Sequence, residues 1–184
     1  MELEIEPRSQ VPVRFTVRVP DSASERSYHC AIGFRTIPVV SEETGTAMRT
    51  AVRMIAAVYP IVGKPAISGE IKELKLEQVP SDSGVSWRAV VVMENSGLML
   101  YRPVGEIQIV DTSGKVVESQ KLVSFPALPK RQQRYLLPLK SSLDVGQYTL
   151  RARIEVGSEI QEASAVVTAE SPRPPAAAPE APPK

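Results

Sequence analysis

The chain has few of the side chains that enzymes and metal sites use. It contains one cysteine, Cys30, and one histidine, His29, among its 184 residues. A single cysteine cannot form an intramolecular disulfide, and it excludes a multi-cysteine zinc site. Catalysis by nucleophiles and general bases usually recruits histidine, and strand parity directs His29 to the surface. Because phosphate-loop and dinucleotide fingerprints are also missing, we expect no enzyme activity, no cofactor and no metal.

Charge and apolar length argue against nucleic acid and membranes as partners. Lys and Arg number 22 against 21 Asp and Glu, a formal net charge of +1, so no strong field attracts a polyanion. The longest apolar stretch, residues 55–62, is far shorter than the roughly 20 residues of a membrane helix. The first residues, MELEIEP, lack the basic and apolar regions of a signal peptide. We expect a protein partner, no membrane span, and any signal peptide to lie upstream of this chain.

The sequence does contain a two-residue alternation of apolar and polar side chains along most of its length. In residues 7–20, PRSQVPVRFTVRVP, this alternation predicts a strand with one face in a core. Tyr28, Cys30, Ile32 and Phe34 repeat the pattern, which predicts a buried and inert thiol at Cys30. Helical periodicity is missing, so the class is all-β.

A second block carries the same alternation with turn signals between its segments. Trp87 alternates with Ala89 and Val91, which predicts core packing for the indole. Asn, Asp and Gly at residues 95–97 and 111–114 are typical of tight turns. Together these features predict a two-sheet β-sandwich of about seven strands. The candidate strands are residues 67–79, 86–94, 105–111, 115–123, 133–140, 147–156 and 160–169.

The two blocks share an internal repeat. A proline, a basic turn, an alternating strand, a polar corner and a tyrosine run from Pro7 to Tyr28 and again from Pro129 to Tyr148. The second corner, LDVGQY at residues 143–148, is typical of the turn before strand F of an immunoglobulin-like sandwich. There the tyrosine hydroxyl bonds to the backbone. Tyr28 is predicted to be the counterpart of Tyr148.

We therefore predict an all-β chain of immunoglobulin-like β-sandwich domains in three parts. Residues 1–65 form a partial domain with strands E to G only, residues 66–170 a complete sandwich, and residues 171–184 a disordered Pro/Ala-rich tail. The other strands of the first domain are expected outside this chain, which leaves open whether Met1 is the native start. Half a sandwich exposes apolar faces and open edges, so a dimer through this domain is one way to cover them.

The candidate binding site is the strand predicted over residues 47–59. An antiparallel edge strand offers unpaired backbone groups that a partner strand can satisfy. One face of this strand carries apolar side chains, and the other carries arginines that can hold a carboxylate. An ordinary last strand of a domain, with solvated arginines, is the alternative. The site residues are Met48, Val52 and Met54 on one face and Arg49 and Arg53 on the other.

Several stretches carry a family resemblance. Two of them are VPVRFTVRVPDSASERSYHCAIGFRTIP (residues 11–38) and MRTAVRMIAAVYPIVGKP (residues 48–65). They resemble strands E, F and G of the amino-terminal domain of periplasmic pilus-assembly chaperones, the chaperone/usher class, and of their broader bacterial relatives. The stretches IKELKLEQV, LPKRQQRYLLPL and LDVGQYTLRARIEV resemble the second immunoglobulin-like domain of such proteins.

The resemblance implies a location in the periplasm or cell envelope. It also implies chaperone-like binding of partly folded subunits, such as pilins, by lending strand G to their sheet. The family clamps the terminal carboxylate of the subunit with an Arg on strand A and a Lys on strand G. In this chain strand A is not present, and Ala56 stands where the Lys aligns.

Two other functional interpretations stay open. The chain is also compatible with a structural or adhesive envelope scaffold, in which the sandwiches are spacers and residues 60–66 fix their angle. The other is a truncated reading frame whose product is unstable. Protection of an aggregation-prone partner separates a chaperone from a scaffold.

Overall fold

The computed structural model describes residues 2–37, 51–81, 84–122 and 125–170, with only the backbone of residues 84 and 85. Every regular element in these ranges is a β-strand, which confirms the all-β class. The strands are β1 (Arg26–Ser27), β2 (Cys30–Arg35), β3 (Arg53–Val58), β4 (Ile61–Val62), β5 (Gly69–Ser81), β6 (Gly84–Asn95), β7 (Val104–Val110), β8 (Val116–Lys121), β9 (Arg131–Pro138), β10 (Gly146–Val156) and β11 (Glu159–Ala169).

The chain divides into two units. Unit 1 is Met1–Val62 and unit 2 is Gly63–Lys184, so the division lies slightly before the predicted domain boundary between residues 65 and 66. The predicted tail over residues 171–184 lies outside the described residues.

Unit 2 contains all seven strands that the sequence predicts for the second block. They form two antiparallel sheets, one in the order β5-β6-β9 and the other in the order β11-β10-β7-β8. Non-consecutive neighbours in both sheets mean that the chain crosses between the sheets rather than running up and down within one. Several sheets of this kind are consistent with a β-sandwich.

One hydrophobic core joins the two sheets of unit 2. In β10 the residues from Leu150 to Val156 alternate strictly between buried and exposed, as a strand with one face in a core requires. Each fully buried Leu or Ile contributes about 1.5–3 kcal/mol relative to an exposed one. The buried members of this core are Ala89, Val91, Met93, Tyr101, Ile107, Ile109, Leu122, Ala127, Tyr135, Leu137, Leu150, Ala152, Ile154, Val156 and Val167.

Strand β6 is buried on both of its faces. Val90 is fully buried on the face opposite the core residues Ala89 and Val91. Trp87 is buried as well, with 8% of its surface exposed, so the predicted burial of the indole is confirmed. This strand is the central one of its sheet and pairs with β5 along one edge and β9 along the other.

A buried asparagine, Asn95, holds the loop that follows β6. The Asn95 side-chain amide donates to the carbonyl oxygens of Met99 and Ala127, both at 2.8 Å. Its Oδ1 accepts from the Gly97 N–H at 3.0 Å. The bonds to Gly97 and Met99 are within the loop after β6, and the bond to Ala127 ties this loop to another part of the chain.

At Gly105, a Cβ atom would lie 2.3 Å from the Arg153 carbonyl oxygen. Only glycine lets β7 lie this close to β10.

The predicted tyrosine corner is present in both units. The Tyr148 hydroxyl donates to the Asp144 carbonyl at 3.1 Å, directly before the buried part of β10. In unit 1 the Tyr28 hydroxyl donates to the Ser24 carbonyl, also at 3.1 Å. The same four-residue hydrogen-bonded loop therefore recurs in both halves of the internal repeat.

The described residues of unit 1 contain two small two-stranded sheets, β1-β4 and β2-β3. In its described residues Ser27 is buried, whereas no large apolar side chain is. The predicted strand over residues 7–20 is wrong, because no part of it pairs with another described strand. Val13 and Phe15 are 37% and 57% exposed. Alternation made the segment amphipathic, but a strand also needs a partner strand, and this segment has none among the described residues.

The predicted burial of Cys30 is also wrong. Cys30 is exposed and forms no disulfide. Its strand, β2, pairs only with β3, and among the described residues no second layer covers the face on which Cys30 lies. His29 is exposed, in agreement with its predicted direction.

Candidate strand-binding site

The candidate site lies on the antiparallel pair β2-β3. The register runs from Cys30 opposite Val58 to Arg35 opposite Arg53. The ladder is closed at the arginine end by two further bonds to one residue. The Thr36 N–H donates to the Val52 carbonyl at 2.9 Å, and the Val52 N–H donates to Thr36 Oγ1 at 2.8 Å. These bonds fix the start of β3, where the predicted site residues are.

Three of the five predicted site residues fall within the described part of the chain. Val52 directly precedes β3, and Arg53 and Met54 are its first two residues. Strand parity directs Arg53 and Met54 to opposite faces, as the alternation predicts. Met48 and Arg49 lie outside the described residues.

One face of this pair of strands is apolar and partly exposed. Phe34 lies opposite Met54 and Ile32 lies opposite Ala56. Met54 is 60% exposed, whereas Ile32 and Phe34 are half-buried. Side chains directly opposite each other on antiparallel strands are close enough to contact. Phe34 and Met54 therefore form a continuous apolar patch. The sequence indicated Met54, but Phe34 was not assigned to the site because its register opposite β3 was unknown.

The other face brings two arginines together. Arg35 and Arg53 are register partners, and both are exposed. Like charges directly opposite each other on a sheet destabilise the pair. No ion pair to either guanidinium is formed by a carboxylate of the described residues. The two side chains therefore form an electropositive position that a carboxylate can neutralise. Arg35 is the member that sequence reasoning missed.

The outer edge of β3 is unpaired within the described ranges. The sheet consists of β2 and β3 alone, so the backbone groups on the far side of β3 have no strand to bond. Such an edge is a template for another strand. The outer edge of β3 thus combines unpaired backbone groups with an apolar face and a pair of arginines.

The described residues hold no group of three or more His, Cys, Asp or Glu side chains that could bind a metal ion. In the same residues no helix has the length and apolar character that crossing a membrane would take. No model of a protein family matches the chain, and no curated protein matches it either.

Proposed function

We propose that this protein binds other polypeptides through β-strand addition at the outer edge of β3 and has no catalytic activity. The observation that carries the proposal is the two-stranded sheet β2-β3, whose edge is unpaired and whose apolar face is partly exposed in the described residues. Strand addition gains affinity from main-chain hydrogen bonds and specificity from alternate side chains. Both features are available at one place on unit 1.

The side chains suggest what the partner strand carries. An apolar residue on the partner would pack against Phe34 and Met54 and remove their exposed surface from water. A carboxylate on the opposite face of the partner would reach Arg35 and Arg53. A partner strand with apolar side chains on one face and an acidic residue on the other therefore fits this site.

We further propose that unit 2 is an immunoglobulin-like sandwich. In the nomenclature of that fold, β5, β6 and β9 correspond to strands A, B and E, and β11, β10 and β7 to strands G, F and C. The sheet orders β5-β6-β9 and β11-β10-β7-β8 fit this assignment. The tyrosine corner before β10 supports it, since this feature precedes strand F in that fold.

We propose that the protein acts as a chaperone-like protein of the bacterial periplasm or cell envelope, as in pilus assembly. The support is the resemblance of the β2 and β3 segments, within residues 11–38 and 48–65, to strands F and G of pilus-assembly chaperones, together with the uncovered edge of β3. The segment that resembles strand E forms no strand in the described residues. A partly folded pilin or surface subunit would supply the strand that pairs with β3.

The test is suppression of aggregation, with variants that separate strand pairing from unspecific stickiness. Light scattering of reduced insulin, an aggregating polypeptide, is followed with and without the full chain. Val52→Pro removes the N–H that bonds to Thr36 Oγ1 and disrupts the start of β3. Met54→Glu places a charge on the apolar face, and both variants should abolish suppression.

Ile55→Lys is the control for Met54→Glu. Ile55 is the next residue of β3, lies on the opposite face and is 67% exposed, so a charge there leaves the apolar patch intact, and a lysine adds no carboxylate beside Arg53. We expect it to keep most of the suppression. If Val52→Pro and Met54→Glu both suppress aggregation as well as the parent chain, strand addition at β3 is wrong.

A structural scaffold of the envelope is the second candidate function. The observation that favours it is the placement of the whole hydrophobic core of the described residues in unit 2, as a spacer domain would require. The scaffold is favoured if the parent chain does not suppress aggregation and its β3 variants behave like the parent chain in the same assay.

A further inference from the structure

Strand β11 is a long edge strand of unit 2. It pairs with β10 along eleven residues, from Gly146 opposite Ala169 to Val156 opposite Glu159, without a register shift. It is the last strand of its sheet in the order β11-β10-β7-β8. A long and regular edge strand is a template for pairing with another chain.

The other three sheet edges of unit 2 carry features that hinder such pairing. Strand β5 has a register shift between Ile71 and Glu73 and contains Pro80. Strand β9 ends in Pro138. Strand β8 is short and is linked to the end of β9 through Glu118, which accepts from the Lys140 and Ser141 N–H groups. Prolines, bulges and short length are the usual protections of an edge.

Strand β11 lacks all of these protections. Its sequence, EIQEASAVVTA, contains no proline, lysine or arginine, and its only charges are Glu159 and Glu162. Residues 163–169 are uncharged and include the β-branched residues Val166, Val167 and Thr168, a type that strands favour. Two large apolar side chains of β11 also face solvent, since Ile160 is 49% and Val166 71% exposed.

The neighbouring strand β5 runs close to β11 without pairing with it. A Cβ atom at Gly157, before β11, would lie 3.3 Å from the Ile67 side chain, and after β11 Gln78 Nε2 donates to the Glu170 carbonyl at 2.9 Å. Strand β5 nevertheless belongs to the other sheet and shares no ladder with β11. The outer backbone groups of β11 thus have no partner strand among the described residues.

We propose that β11 pairs antiparallel with the β11 of a second copy of this chain, in a register centred on Ala163. This register places Ile160 opposite Val166 of the second copy, and it does so twice because of the two-fold symmetry. It also places Glu162 opposite Ser164, so that no carboxylate meets another. The two exposed apolar side chains of the strand are thereby paired with each other.

Neighbouring registers are less complementary. Centring the pair on Glu162 would place the two Glu162 carboxylates opposite each other. Centring it on Ser164 would place Glu162 opposite Val166 and leave Ile160 opposite Thr168. The register about Ala163 also places Glu159, the first residue of the strand, opposite Val167. Of the three registers, however, it alone pairs Ile160 with Val166, and it sets no carboxylate opposite another, so it is favoured. The sheet of unit 2 then continues across the interface as one eight-stranded sheet.

The test is the oligomeric state of the full chain, measured by sedimentation velocity over a wide range of concentrations. The parent chain should form a dimer. The double variant Ile160→Lys with Val166→Lys sets lysines opposite each other across the interface. It should raise the dissociation constant of the dimer at least about tenfold. The double variant Ile160→Lys with Val166→Glu sets each lysine opposite a glutamate and should restore the dimer.

Three results would overturn this proposal. They are a parent chain that stays monomeric at the highest concentration, a dimer that persists with both lysines, and a failure of the Lys/Glu variant to restore association. Met54→Glu, on β3 of unit 1, is the control and should leave the dimer unchanged, since a dimer through unit 1 would respond to it. Circular dichroism of each variant checks that the fold is kept. We expect it to be kept, because Ile160 and Val166 are both exposed.

Discussion

The Tyr148 hydroxyl donates to the Asp144 carbonyl at 3.1 Å, four residues earlier in the chain. The Tyr28 hydroxyl makes the same bond to Ser24. In unit 2 this bond holds the corner from which β10, the most regularly buried strand, begins. In unit 1 the corresponding corner precedes β2, whose residues are exposed or only half-buried. The same hydrogen bond thus precedes a strand with a buried face in unit 2 and a strand without one in unit 1.

Tyr148→Phe should destabilise unit 2 by about 1 kcal/mol, the usual net contribution of one hydrogen bond. Trp87 is the only tryptophan and is buried in unit 2, so its fluorescence in a urea titration reports the unfolding of this unit. Tyr28→Phe is the matched control and should leave the Trp87 transition where it is. An unchanged midpoint for Tyr148→Phe would contradict a stabilising corner.

Leu150→Ala should cost about 2–5 kcal/mol of unfolding free energy. Leu150 has no exposed surface and lies in the core that joins the two sheets, so truncation loses transfer energy and leaves a cavity. Leu136→Ala is the control, because Leu136 is 46% exposed and should change stability by much less. The same Trp87 titration measures both variants. Equal losses would mean that the core does not lie where the burial pattern places it.

Glu77 should make unit 2 sensitive to acid. A hydrogen bond from Arg88 lowers the pKa of Glu77 below its ordinary value of 4.5, and although desolvation opposes this, Lys75 and Arg134 lower it further. Arg88 and Arg134 each lie 2.8 Å from a carboxylate oxygen. Because the folded-state pKa is depressed, the stabilisation is present above the ordinary pKa and is lost as pH falls through the folded value.

The measurement for Glu77 is the urea midpoint of unit 2 as a function of pH. Glu77→Gln should lower stability by about 1 kcal/mol or less at neutral pH, the range of partly exposed ion pairs. It should also flatten the loss of stability below about pH 4.5. Glu162→Gln is the control, since its ion pair with Arg153 is well exposed. The prediction is refuted if the urea midpoints of the parent chain and of Glu77→Gln fall in parallel as the pH is lowered.

Glu118→Ala should loosen the link between β8 and the end of β9. Desolvation opposes ionisation of Glu118, but N–H bonds from Lys140 and Ser141 keep the pKa of this carboxyl below its ordinary value. Removing the acceptor leaves these donors to water, and we expect a loss of about 1 kcal/mol. Hydrogen exchange at the Lys140 and Ser141 amides should quicken more than at the core strands. Unchanged exchange at both amides would count against this link.

The strands of unit 2 were predictable because local alternation and core burial agree there. From 86–94 to 160–169, each predicted strand overlaps an observed one. Residues 7–20 have the same alternation, yet they pair with no described strand. Alternation reports which face of a segment is apolar, whereas pairing depends on a partner elsewhere in the chain or in another molecule. Alternation likewise does not show whether a second layer covers an apolar face, and Cys30 is exposed because no such layer covers its face among the described residues.

The candidate site was predicted in part. Parity alone separates Arg53 from Met54, and the structure places them on opposite faces of β3. Phe34 and Arg35 could not be assigned from sequence, because their place opposite Met54 and Arg53 depends on the register between two strands far apart in the chain. A shift of one residue would have exchanged the apolar and arginine faces of β2.

The close approach at Gly105 sets a condition on the evolution of this protein. A side chain at this position would collide with the Arg153 carbonyl oxygen, and that carbonyl belongs to β10, which is paired with a strand on each side. A homologue with alanine or any larger residue at the corresponding position must therefore have separated β7 from β10 at this point. Glycine at this one position is consequently a sharper criterion for recognising distant relatives than any of the interchangeable aliphatic residues of the core.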